Sequence, residues 1–171
     1  MQKFLKNFMM KKLFLVGALA LFGAMNAQNT GNFKLGAHFG LPTGDISEVY
    51  SVNAGVDVAY VWKVAPKFDL GITSGYSYYF VKSKYSDYTD GEGIIPLAAT
   101  GQYSIDGKLF LGADLGYAFF TGKNSDGGAF YYQPKVGYSL DAKNDLYLSY
   151  KGMSKDGSTA SSVNLGYAYK F

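Results

Sequence analysis

Between Phe33 and the final Phe171, apolar and aromatic side chains recur at every second residue in eight separate runs. Only an extended strand sends successive side chains to opposite faces, so a period of two specifies β-strands. The last run is the clearest. Val163, Leu165, Tyr167, Tyr169 and Phe171 alternate with Asn164, Gly166, Ala168 and Lys170. The other runs occupy 33–41, 50–62, 68–80, 95–103, 109–119, 130–140 and 146–150, and none has a helical period. The opposite parity reads as small or polar, with Gly, Ser, Ala, Thr and a few charges.

The connections alternate in length. Segments 64–67, 105–108 and 141–144 read as tight turns rich in Pro, Gly, Asp and Asn. Segments 42–48, 82–93, 121–128 and 154–161 read as longer polar loops. This predicts an all-β, up-and-down meander of eight antiparallel strands with its tight turns at one end. Closing that meander into a barrel removes both sheet edges. Pro96 and Pro134 fall inside runs four and six, where proline cannot donate to a ladder. They are expected at bulges or strand ends, or else the local registers slip by one.

A closed barrel can turn its apolar parity inward, as a soluble lipocalin-like carrier does, or outward against lipid. Volume favours outward, because an eight-stranded lumen is only just wide enough for side chains. Ring placement favours it too. Tyr60, Trp62, Phe68, Tyr103 and Tyr138 cluster at the tight-turn end. Tyr50, Tyr78, Tyr117, Phe130 and Tyr150 cluster at the long-loop end, with aliphatic residues between. Two aromatic girdles around an aliphatic band are the mark of a transmembrane β-barrel wall.

The first residues have a different character. Four lysines (3, 6, 11 and 12) precede the apolar run 13–24, and small Ala27 follows. This predicts a signal peptide over 1–27, with the barrel domain over 28–171. The apolar run is too short to span a bilayer as a helix. Removing residues 1–27 leaves 12 lysines against 13 acids, a net charge of −1, so the precursor's basic pI does not point to nucleic acid. The chain has no Cys and no Arg, which excludes disulfides and thiolate metal sites and weakens phosphate or nucleic-acid recognition.

Lys34, His38, Asp57, Asp114, Lys135 and Lys151 lie on the inward parity and predict a polar network in the lumen. Charges in so narrow a space must pair or be hydrated. They make either a salt-bridged plug or a small gated pore. His38 is the only histidine, and no motif holds a serine beside it, so no catalytic, cofactor or metal site is expected. Asp87, Asp90 and Glu92 lack calcium-loop spacing and read as turn residues.

The leader, the meander, the girdles and the terminal "YAYKF" together resemble the small eight-stranded outer-membrane barrels of Gram-negative bacteria, of the OmpA/OmpX type. That resemblance implies residence in the outer membrane among lipid and lipopolysaccharide. It implies a monomer that does not bind nucleic acid and has a structural or loop-mediated role rather than an enzymatic one. A narrow porin-like channel is the alternative, with a lipid-modifying enzyme or a soluble carrier behind it. Tyr167, Tyr169 and Phe171 fall on the family's recognition signal for the barrel-assembly machinery.

Overall fold

The structure is a computed structural model that describes residues 31–122 and 127–171. The leader expected over 1–27 lies outside the described residues. Eight strands follow one another: β1 Gly31–Thr43, β2 Tyr50–Ala65, β3 Phe68–Val81, β4 Glu92–Ser104, β5 Leu109–Phe120, β6 Gly128–Ser139, β7 Asn144–Lys155 and β8 Ser158–Lys170. Each pairs antiparallel with its sequence neighbour, and β1 pairs with β8 to close the barrel. The only other elements among the described residues are 3-10 turns at Gly44–Glu48 and Ser83–Tyr85.

Closure explains the alternating C-terminus. β8 lies against β1 from Lys34↔Lys170 to Thr43↔Ser161. Phe171 then donates its backbone N–H to the carbonyl of Phe33 at 3.0 Å, and the two rings meet at 5.4 Å. The chain end is therefore tied down rather than frayed.

Trp62, Tyr117 and Leu165 all point outward, with exposures of 40, 44 and 53%. The opposite parity fills the lumen. It is less uniformly small than the sequence suggests, because Tyr79, Phe110, Tyr131 and Tyr147 are also buried there. Glycines seat the rings. A Cβ on Gly137 would come within 2.1 Å of the Phe110 ring, and one on Gly166 within 2.2 Å of the Tyr147 ring. On the outer wall the Tyr132 ring lies over Gly152 in the same way. In each case the glycine is the ring's direct cross-strand partner. An aromatic ring over a cross-strand glycine restores contact that the missing side chain gives up. Gly152 also explains why the seventh run reads short, since β7 continues for five residues past Tyr150 with no outward apolar side chain at its next step.

Several expectations need correction. Segment 154–161 is not a long loop. β7 and β8 continue through it and join in a two-residue Asp156–Gly157 turn with φ of 51° and 82°. Both central residues take positive φ, which is the Asp-Gly hairpin signal of a type I′ turn. Neither proline shifts a register. The β3–β4 and β6–β7 pairings keep the same offset on both sides of Pro96 and Pro134, and each ladder only skips pairs there. The irregularities lie in β2, between Tyr50 and Val52 and between Lys63 and Ala65. The first of these is a bulge that turns Tyr50 off the outer girdle. Its ring packs on lumenal Tyr79 at 6.0 Å.

Candidate functional site: the filled lumen

The inward rows of the eight strands bring the six predicted lumen residues into one stack, together with partners the sequence did not reveal. At the loop end an apolar plug closes the space: Tyr79, Ile94, Ala98, Ala118, Ala129, Tyr131 and Met153 are all buried. Ile46 of the first 3-10 turn, Tyr50, Phe120 and Ala160 pack onto it.

Below the plug, His38 of β1 sits between two partners. Its Nδ1–H donates to Asp57 Oδ2 of β2 at 2.6 Å, and its Nε2 accepts from Ser77 Oγ of β3 at 2.9 Å. The carboxylate fixes this tautomer. Lys151 of β7 crosses the lumen, donates to Ser77 Oγ at 2.8 Å and stands 3.1 Å from the same Nε2. Tyr147 OH donates to Asp57 Oδ2 at 3.1 Å. Gly55 makes the room, since a Cβ there would lie 2.7 Å from His38 Cε1 and 2.2 Å from the Tyr76 carbonyl.

Toward the turn end the charges pair. Lys135 reaches Asp114 at 2.6 Å and lies over the Tyr147 ring at 5.6 Å. Lys34 donates to Gln102 Oε1 at 2.8 Å and approaches Asp145 at 3.7 Å. Asp145 also takes Lys170 at 2.7 Å and Ser139 Oγ at 2.6 Å. Lys170, near the end of β8, is thus folded back into the barrel. A cavity of about 60 Å³ remains here, lined by Lys34, Asp57, Lys135, Asp145, Gln102 and Tyr147 among others. It is large enough for a few waters.

Asp57, His38 and Ser77 stand in the order of a carboxylate, base and hydroxyl relay. The sequence hid Ser77, which lies 39 residues from His38 with no local motif. A relay needs space beside the hydroxyl for a substrate carbonyl. Here Lys151 fills that position, and both Ser77 and Lys151 are 0% exposed. The group is built as a lock between β1, β2, β3 and β7. Among the described residues, no cluster of His, Cys, Asp or Glu could hold a metal.

On the outer wall, Trp62, Tyr103, Tyr138, Tyr117, Phe130 and Tyr150 are exposed, while Phe68 and Tyr78 are half covered. Tyr60 shares this row but is shielded, its ring edge-on to Trp62 at 5.0 Å. Tyr167 and Phe171 are exposed on the outer face, and Tyr169 stacks edge-on to Phe171 at 5.0 Å.

Comparison with solved structures gives the same architecture. The chain is similar to a de novo designed transmembrane β-barrel (15% identity, 84% of this chain and 98% of that one, TM-score 0.56). It is similar to Ail, the attachment invasion locus protein of Yersinia pestis (14% identity, 84% and 100%, TM-score 0.56). The outer membrane enzyme PagL also matches (16% identity, 80% and 98%, TM-score 0.53). A designed barrel, an attachment protein and an enzyme share only the fold, so these likenesses establish the eight-stranded outer-membrane barrel architecture and no activity. No curated protein matches in sequence. Residues 13–171 match the family described as "Putative MetA-pathway of phenol degradation", and the chain belongs to that family.

Proposed function

We propose that this chain is a closed, non-catalytic barrel of the outer membrane that acts through its loop end. Its role is structural, or it presents the 44–49, 82–91 and 121–127 connections to a partner. The tight turns and the C-terminus then face the periplasm, with lipid and lipopolysaccharide around the outer wall. The observation that carries this reading is the filled lumen: an apolar plug at the loop end above a fully buried His38–Ser77–Lys151 lock. The exposed apolar wall supports the membrane placement. Tyr88, 87% exposed on the 82–91 loop, is the kind of projecting ring a partner can grip.

An enzyme acting on lipid needs its nucleophile at the lipid, whereas Ser77 faces the axis beneath cover. The lumenal cavity is small for the phenol in the family's description. The charged cavity of about 60 Å³ falls short of the ~150 Å³ apolar cavity that holds benzene. The same cavity is what favours the second reading, a narrow gated channel for small solutes. Planar-bilayer recording on the folded barrel separates the two. The expected result is no unitary conductance for wild type, and conductance once Ile94, Tyr131 and Met153 are cut to Ala. Steady conductance in wild type that changes with Asp114→Ala would overturn the closed-barrel reading in favour of a channel.

A further inference from the structure

The outer wall is not evenly filled. Over β4 the outward residues are Ala99 and Gly101, and their neighbour on β5 is Ala113. Phe68 and Leu70 of β3 stand on one side, with Leu111 and Leu115 of β5 on the other. The result is an apolar groove of about 450 Å³ on the lipid-facing wall, ending at Tyr103. From residue 99 to 103 it runs roughly 13 Å along the strand, at ~3.3 Å per residue.

The turn-side end of this groove carries charge. Lys67 adjoins Phe68, and its ammonium leans across to the Ile105 carbonyl at 3.2 Å. Lys108 lies in that same β4–β5 turn, 5.9 Å from the centre of the Tyr138 ring. The turn's own acid, Asp106, is engaged by the backbone N–H groups of Lys108 and Leu109 at 3.0 and 2.7 Å. Asp69, next to Phe68 in the chain, faces Lys63 across the strand pair on the opposite parity from the groove. Asp106 keeps its charge and lies in the field of Lys108, but the two exposed ammonium groups outnumber it and can meet an anion at the level of the lipid headgroups.

From this juxtaposition we infer a phospholipid-binding site, which rests on the membrane placement above. One acyl chain lies in the groove over Gly101, and the phosphate of the same lipid meets Lys67 and Lys108. Within a bilayer an apolar groove gains no hydrophobic energy by being filled. The chain contributes contact with walls that would otherwise lack neighbours, and the lysines contribute affinity for the phosphate. Two lysines beside an anionic lipid are together worth roughly a thirtyfold change in affinity.

Native mass spectrometry of the folded barrel in non-ionic detergent, titrated with dimyristoyl phosphatidylglycerol, tests the site. Folding is scored first, by the shift in gel mobility between boiled and unboiled samples after insertion into vesicles. Failure to insert would sink the membrane placement, whereas the lipid titration tests only the site. The expected result is one retained lipid per barrel. Gly101→Leu should abolish retention and still fold, because a Cβ at Gly101 meets only Leu70 and Phe68 side-chain atoms, at 3.4 and 3.6 Å. Ala37→Leu, on exposed β1, should change nothing. Lys67→Ala with Lys108→Ala should weaken phosphatidylglycerol by up to roughly thirtyfold and leave dimyristoylglycerol, which lacks phosphate, unaffected. Retention that survives Gly101→Leu overturns the site. So does a barrel dimer that Gly101→Leu disperses, which would assign the groove to a second copy of this chain.

Discussion

Asp57→Asn isolates the electrostatics of the lumen lock. The substitution keeps the side chain's size, and the new carbonyl can still accept from His38 Nδ1. What it removes is the negative charge that balances Lys151, a fully buried ammonium whose hydrogen-bond partners are His38 and Ser77. Leaving a buried charge without its compensating partner costs about 3–5 kcal/mol. The Asp57 side chain keeps 20% exposure, so solvent screens part of the loss and the lower end applies, about 3 kcal/mol. That is roughly a hundredfold in the folding equilibrium. Lys151→Met removes the charge that needed balancing. Alone it leaves Asp57 without that cation and should cost about 1–3 kcal/mol, toward the lower end because His38 and Tyr147 still hold the carboxylate, which keeps some solvent exposure. In the Asp57→Asn background it should restore most of the loss, giving a coupling of about 3 kcal/mol. The assay is urea unfolding in phospholipid vesicles, followed by the emission of Trp62, the only tryptophan. Boiled and unboiled gel mobility confirms the folded starting state. The charge-balance reasoning fails if Asp57→Asn unfolds at the wild-type urea concentration, or if Lys151→Met adds to its damage instead of relieving it.

Two further predictions concern the ends of the barrel. Gly157 holds φ of 82° in the β7–β8 turn, so Gly157→Val should cost roughly 1–2 kcal/mol in the same unfolding assay. Asp156→Asn should stay within about 0.5 kcal/mol of wild type, because asparagine suits the same turn position. At the opposite end, the carboxyls of Asp106 and Asp141 are held below the ordinary range. For Asp106 the cause is the backbone N–H groups of Leu109 and Lys108; for Asp141 it is the Lys143 N–H and the Asn144 side chain. A carboxylate lowered by folding adds stability above its unfolded value of ~3.9, and loses it as pH falls through the folded value. The Leu109 and Asn144 amide resonances should therefore titrate with inflections below ~3.9, and an inflection at or above that would refute the turn bonds.

The barrel was legible in the sequence because its signal is repetitive. Eight runs of alternation, each with turn residues at its ends, agree on one architecture, and closing that meander to remove its edges requires the pairing of β8 with β1 that the structure shows. Parity placed Lys34, His38, Asp57, Asp114, Lys135 and Lys151 on one surface. It could not say which of them meet, because cross-lumen contacts such as Lys151 to His38 join residues 113 apart in the chain. Ser77 shares that inward parity, but its contact with His38 was invisible for the same reason. The Asp156–Gly157 hairpin was obscured by its flanks, where Ser154, Lys155, Ser158 and Thr159 read as loop but serve as strand. Tyr50 was misplaced because one extra residue in β2 inverts parity, and nothing near Ser51 announces a bulge.

A pattern with a period of two has a blind spot. Sliding a strand by two residues keeps every oily group outside and every polar group inside, so alternation by itself cannot reject the slip. The seated rings can. Moved by two, Phe110 would face Lys135 or Ser139 instead of Gly137, and Tyr147 would face Asn164 or Ala168 instead of Gly166. Each misaligned hairpin would drive a ring into a side chain where only a hydrogen fits, so these pairs act as keys that admit one alignment while the cylinder zips shut.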